Sequence, residues 1–191
     1  MTTEKPYTRV HVRWMIRRDL AEDLGTETRS FAFAWTEEDF LRCLRKRNVI
    51  GMVAEYGDRI VGYMLYRLSK CEVTVVNFAV DPRYRRTGVG AQLATKLLGK
   101  LSSHRRRGAV LMVRESNLTA QLFFRACGFR AAGVTRGYYE DTGETAYRME
   151  HRLPLACPDC DHPVPDDAVP GAFCGRCGCE FDEEFLGVAG D

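Results

Sequence analysis

The sequence predicts a mixed α/β (α+β) domain around a mixed central sheet, followed by a short cysteine-rich module. Three observations predict it. Two apolar runs, IGMVAEY and RIVGYMLYRL, flank Gly57-Asp58 as the strands of a hairpin. A β-branched run, EVTVVNFAV, passes through a glycine-containing loop into a leucine-spaced helix and then into GAVLMV, the order of a strand–helix–strand crossover. Five of the cysteines crowd into CPDCDHPVPDDAVPGAFCGRCGCEF, where Pro158, Pro163, Pro165 and Pro170 break any helix or central strand. The composition changes near residues 153–156, which divides the chain into a domain over residues 1–153 and a tail over residues 154–191.

Taken in order, Val10, Val12, Trp14 and Ile16 alternate with polar neighbours, the period of a half-buried first strand. Helices are expected from Asp19 and from Thr36. In TEEDFLRCL, Thr36 and Asp39 form a weaker relative of the capping box, and Phe40, Leu41 and Leu44 an apolar face. The hairpin follows. EVTVVNFAV carries apolar residues on both parities, which predicts a central strand covered on both sides and closed by Asp81-Pro82. Leu93, Leu97, Leu98 and Leu101 recur at helical spacing. That helix should end near HRRRG, where Arg105, Arg106 and Arg107 suit its negative end and Gly108 its exit. GAVLMV is a further strand and LTAQLFFRACG a helix ending at Gly128. Closing strands are expected over residues 130–136 and 146–153.

The 191 residues are 45% hydrophobic and 28% charged, with a net charge of +2: a globular balance without a field that would gather nucleic acid or an anionic membrane. No apolar run is long enough to span a bilayer, and MTTEKPYTRV lacks the apolar core of a signal peptide, so the cytoplasm is the expected location. In that reducing setting the eight cysteines read as metal ligands or small buried hydrophobes rather than disulfides. Cys43, Cys71 and Cys127, each alone in an apolar or helical pattern, take the second reading.

The loop between strand and helix is RRTGVG. It has no lysine after its second glycine, as a Walker loop requires, and Leu93 stands where a dinucleotide fingerprint needs a third glycine. What remains is Arg-x-x-Gly-x-Gly opening a helix, whose first N–H groups lack partners and suit a pyrophosphate.

With its surroundings, NFAVDPRYRRTGVGAQLATKLL resembles the acetyl-CoA-binding motif of the GNAT acetyltransferases, and ESNLTAQLFFRACGFR resembles that family's second signature. The resemblance covers roughly residues 10–153 and is nearest to the ribosomal-protein N-terminal (alanine) acetyltransferases, through VDPRYRRTGVG, VRESN, GF and GYY. It implies a largely antiparallel GNAT-like sheet flanked by helices, and transfer of an acetyl group from acetyl-CoA to an amine. It also implies that backbone groups of Phe78, Ala79 and Val80 pair with the pantetheine arm. Arg86, Thr87, Gly88, Val89, Gly90 and Ala91 would cradle the pyrophosphate, and Asn117 would bind the cofactor arm; Asn117 also suits a helix cap.

The same resemblance exposes two departures. Met112 stands where these acetyltransferases carry a glutamate base, and Phe124 where they carry a tyrosine that protonates the leaving thiolate. Glu72, at the start of the fourth strand, is the substitute base, with an exposed strand-end charge as its alternative reading. Tyr138 and Tyr139 resemble a tyrosine pair lining the peptide groove, for substrate contact or proton donation, with plain packing as their alternative. The acceptor reads as a protein or peptide N-terminus, or else a small amine. An acetyl-CoA-binding sensor that has lost catalysis is the reading of a different class.

In the tail, Cys157-Pro-Asp-Cys160 and Cys174-Gly-Arg-Cys177 can each place two thiolates on one side of a tight turn, together a tetrahedral site for zinc. Cys179 is a spare and His162 a weaker candidate. The module resembles a zinc ribbon, closed and hence structural, and its acidic residues, among them Asp159, Asp161 and Asp182, weigh against a grip on phosphates.

Overall fold

The computed structural model describes residues 5–70, 72–103, 107–165 and 167–186; Cys71, Arg105 and Arg106 lie outside them. The chain divides into two compact units, Met1–His151 and Arg152–Asp191.

The first unit holds a seven-stranded sheet of β1 (His11–Trp14), β2 (Val49–Tyr56), β3 (Arg59–Leu68), β4 (Glu72–Val80), β5 (Gly108–Arg114), β6 (Arg130–Tyr139) and β7 (Glu144–Arg152). The order is β1-β2-β3-β4-β5-β7-β6. β1 to β4 pair antiparallel in sequence, β6 pairs antiparallel with β7, and β4 and β5 run parallel, as the intervening helix crossover requires. The mixed fold expected from the sequence is the one observed.

Helices α1 (Leu20–Ser30) and α2 (Glu37–Leu44) cover one face. There Leu20, Phe40, Cys43, Val53, Tyr63, Leu65 and Ala79 form one buried cluster. α2 starts where its capping box predicts: the Thr36 side chain accepts from Asp39 N–H, and Asp39 accepts from Thr36 N–H at 2.9 Å. α3 (Val89–Ser103) covers the other face and closes Val89 and Leu93 over Ala54 and Val61. The two-sided burial of β4 explains its lack of simple alternation: Ala79 packs under the first pair of helices, Phe78 and Val80 under α3. α4 (Leu118–Ala126) follows β5.

β6 runs to Tyr139, beyond the expected end near Arg136. Gly137 takes φ +62° within a register shift between Thr135 and Tyr139, so the glycine bends the strand rather than ending it.

The second unit consists of two tight turns with a cross-bridge in each, Ala156 to Pro163 and Phe173 to Glu180, and a short helix, α5 (Glu183–Leu186). Val164 and Phe181 pack with Cys157 and Cys174 at its centre.

Candidate functional site

Parallel pairing of β4 with β5 runs from Glu72 opposite Gly108 to Val75 opposite Leu111 and stops, although β4 continues to Val80 and β5 to Arg114. The strands part where β4 carries a bulge: Leu65 faces Asn77 and Tyr66 faces Val75, which leaves Val76 as the extra residue. Beyond the bulge one edge of β4 is bonded to β3 and the other is open to a guest. Phe78, Ala79 and Val80 lie on this open stretch.

The chain leaves β4 through a turn fixed by Asp81. This carboxylate, 1% exposed, accepts from Arg83 N–H and from the Arg83 and Arg29 guanidinium groups. The hydrogen bonds from Arg83 hold it well below the usual carboxylate range. Arg85 Nε reaches back to the Val80 carbonyl at 3.1 Å. Arg86 then adopts φ +67° and Gly88 φ +87°, two left-handed residues that curl the backbone before the first turn of α3. Thr87 is buried, with its hydroxyl on the Tyr84 carbonyl. A Cβ on Gly90 would stand 3.1 Å from the Phe123 ring, tighter than an ordinary contact, so glycine here lets α4 approach the loop closely. Residues 86–91 thus carry two left-handed residues into the first turn of α3, where unpaired backbone N–H groups suit a pyrophosphate.

One partner of this loop had no signal in the sequence. Thr8 N–H bonds the Thr87 carbonyl at 2.8 Å, Gln92 bonds Val10 N–H and the Thr8 carbonyl, and the Tyr7 ring lies on Gly88. The N-terminal segment straps the cradle.

At the open end of β5, Asn117 caps α4 by accepting Ala120 N–H at 3.0 Å, which uses its Oδ1 and leaves its Nδ2 without a partner among the described residues. Phe124 is 7% exposed within an aromatic cluster, its ring 5.5 Å from Phe78 and 4.9 Å from Phe123. Tyr139 donates to the Met112 carbonyl at 3.3 Å, and burial pushes its hydroxyl up to about 12, against the opposing pull of Arg114. The Arg114 guanidinium stacks 3.8 Å from the Tyr139 ring and 5.6 Å from that of Phe33, while Tyr138 meets Tyr139 edge to face at 5.1 Å. Arg114 is itself held by Asp141, Thr142 and Glu144. Tyr138 and Tyr139 thus reach the open end of β5, and Phe33, from the loop between α1 and α2, approaches the same guanidinium.

Glu72 does not join them. It sits at the other end of β4, opposite Gly108 where the strands are still paired, six residues and roughly 20 Å from Phe78. Its carboxylate meets the Arg148 guanidinium at 3.5 Å on a half-exposed surface. The strand-end reading describes it; a base at the cleft does not.

In the second unit, the Sγ atoms of Cys157, Cys160, Cys174 and Cys177 all lie within 4.8 Å of one another. Cys157 and Cys177 are 3.5 Å apart, Cys160 and Cys174 3.6 Å. A tetrahedral ion with metal–sulfur bonds of ~2.3 Å has sulfur–sulfur edges of ~3.8 Å, close to the two shortest separations here, so the four cysteines suit a zinc site. The two turns repeat one geometry: the residue after each second cysteine, Asp161 or Gly178, has positive φ and bonds back to the carbonyl of the first. Cys179 turns its thiol to the Glu180 carbonyl, and His162 contributes its backbone carbonyl. Neither belongs to the group of four.

Comparison with known proteins gives the family. The acetyltransferase (GNAT) family pattern matches residues 14–129, ending before the cysteine-rich unit. The [ribosomal protein bS18]-alanine N-acetyltransferase of Salmonella typhimurium is 32% identical over 143 residues, 73% of this chain and 91% of that protein. The N-alpha-acetyltransferase RimI of Mycobacterium tuberculosis is 34% identical over 120 residues, 60% of this chain and 73% of that protein. The crystal structure of the Escherichia coli ribosomal-protein-S18-alanine N-acetyltransferase matches with a TM-score of 0.71 at 26% identity, covering 79% of this chain and 98% of that one. Parted strands, a backbone cradle at a helix N-terminus and these relatives lead to one assignment: the chain belongs to the GNAT acetyltransferase family and is an acetyl-CoA-dependent N-acetyltransferase.

Proposed function

We propose that the acceptor is the α-amine of a protein or peptide N-terminus. The observation that carries this reading is the chemistry around the parted strands, where Met112 and Phe124 supply no titratable group and Glu72 lies elsewhere. The amine must then arrive mostly neutral. At pH 7 that costs about 1 kcal/mol for an α-amine of pKa ~7.7–8.0 and about 4.6 for a lysine of pKa ~10.4. The names of the relatives, bS18-alanine N-acetyltransferase, support the same class. Phe33, Tyr138 and Tyr139 are flat, partly exposed walls of the kind that hold the first residues of an extended peptide.

Acetyl-CoA supplies an activated thioester carbonyl. In this proposal the open edge of β4 at Phe78, Ala79 and Val80 pairs with the pantetheine arm, and an N–H of that segment meets the carbonyl oxygen as negative charge builds there. The backbone of Arg86, Thr87, Gly88, Val89, Gly90 and Ala91 takes the pyrophosphate, and the Asn117 amide the arm. The nitrogen–carbon bond forms, the carbon–sulfur bond breaks, and the amine proton passes to water. Tyr139, neutral at working pH, could donate to the departing thiolate once its hydroxyl releases the Met112 carbonyl. A missing acid or base costs ~10²–10⁴ in rate, not the whole acceleration.

In the second unit we propose a structural zinc on Cys157, Cys160, Cys174 and Cys177. All four positions are filled by thiolates, which leaves none for substrate, and a reducing compartment such as the cytoplasm keeps them available.

Thiol release from acetyl-CoA tests the acceptor. The panel is peptides with free N-termini, N-terminally blocked peptides that retain lysine, and small amines, between roughly pH 6 and 9. Free N-termini should dominate at neutral pH. A blocked lysine peptide or a small amine that matches them overturns the proposal.

A further inference from the structure

Val76, Asn77, Phe78, Ala79 and Val80 make up the part of β4 that has left β5, and Asn77 alone among them is polar. Its side chain does not hang free. Asn77 Nδ2 donates to Glu27 Oε1 at 3.3 Å, and that carboxylate, on the third turn of α1, is 1% exposed. Glu27 Oε1 also accepts Trp35 N–H at 2.9 Å, and Oε2 accepts the hydroxyl of Tyr63, itself fully buried. Burial, followed by the Glu27 charge, raises the Tyr63 hydroxyl far above its ordinary value, so it remains a donor to Glu27. One carboxylate thus ties together α1, β3, the bulged strand and the loop that presents Phe33.

Three donors converging on Glu27 fix which way the Asn77 amide faces. Turning it over would set Oδ1 against a carboxylate oxygen, two acceptors in contact. Oδ1 is therefore directed away from Glu27, and no described residue donates to it. A buried carboxylate is costly to keep, and the family reaction as described above gives Glu27 no task.

We propose that Asn77 Oδ1 accepts an N–H of the incoming amine, and that Glu27 and Tyr63 are positioning residues that lock the amide in this orientation. Holding one N–H turns the nitrogen lone pair toward the thioester carbon beside Phe78. Asn77 takes no proton: the nitrogen–carbon bond forms, the carbon–sulfur bond breaks, and the proton still leaves to water. The inference rests on the acetyl transfer proposed above and not on which amine is preferred.

The test is steady-state turnover of Asn77→Ala, Glu27→Gln and the double variant, each as a ratio to wild type on the best acceptor at saturating acetyl-CoA. Asn77→Ala should lower kcat/KM for the amine ~10–100-fold, with acetyl-CoA KM changed less than about twofold. Glu27→Gln offers an NH2 that tolerates the turned-over amide, so it should cost a similar factor alone and almost nothing further in the Asn77→Ala background. A structural role would not produce that non-additivity. Should Glu27→Gln fail to fold, Tyr63→Phe takes its place in the cycle. Wild-type kcat/KM in Asn77→Ala, or losses that multiply, overturns the proposal. A wild-type enzyme that prefers lysine side chains sinks the α-amine reading instead, and the ratios still judge Asn77.

Discussion

The Tyr7 ring occupies the space that a side chain on Gly88 would need: a Cβ there would clash with Cε2 and stand 2.6 Å from Cδ2. Gly88 also holds φ +87°, which costs other residues roughly 1–2 kcal/mol. The cradle and its N-terminal strap are thus fitted to one another at a single position. Gly88→Ala should weaken acetyl-CoA binding at least ~10-fold, through both the backbone and the clash. Adding Tyr7→Ala removes the clash but not the backbone cost, so the double variant should recover part of the affinity. Titration calorimetry reads both; unchanged affinity in Gly88→Ala would remove the loop from the binding site.

How much of this was legible beforehand depended on sequence distance. β4, RRTGVG and α3 form one continuous stretch whose signals, β-branched residues, paired glycines and spaced leucines, are local. The four cysteines were legible because Cys-x-x-Cys is itself a local geometry. By contrast, the strap joins Val10 to Gln92, and the Asn77 lock joins residues 27, 35, 63 and 77, so no spacing could announce either. Glu72 shows the opposite failure. Its residue type suited a base, but a strand has two ends, and only the pairing with Gly108 shows that it stands at the wrong one.

Asp23 makes the fold sensitive to pH. Its side chain is wholly buried on α1, and neither carboxyl oxygen has a hydrogen-bond partner among the described residues. Burial, with Asp19 and Glu22 adding repulsion, pushes the carboxyl up to about 8. Unfolded, it would titrate near ~3.9. The folded chain keeps a proton that the unfolded chain releases, so the contribution of Asp23 is fully present below ~4 and lost as pH rises through about 8. Asp23→Asn should remove a fall on the order of 2–5 kcal/mol across that window, and Asp23→Leu should be more stable than wild type at pH 9. Urea unfolding at several pH values measures the slope; the same slope in Asp23→Asn would assign it to another group.

Zinc removal tests the second unit. This unit is 40 residues with a small apolar centre of Val164, Phe181 and two of its own cysteines, too little buried surface to order two turns unaided. Four cysteine sulfurs gathered within 4.8 Å of one another would contribute that order through the metal instead. Purified protein should carry about one equivalent of zinc, and chelation should expose four thiols to a cysteine reagent in one cooperative step. Cys160→Ser should abolish stoichiometric metal, whereas Cys179→Ser should leave it intact, because Cys179, although its thiol reaches Cys157 as well as the Glu180 carbonyl, stands outside the four sulfurs that are all mutually close. Metal loss in Cys179→Ser would move the site; iron in place of zinc would keep the four ligands and change the ion they were selected for.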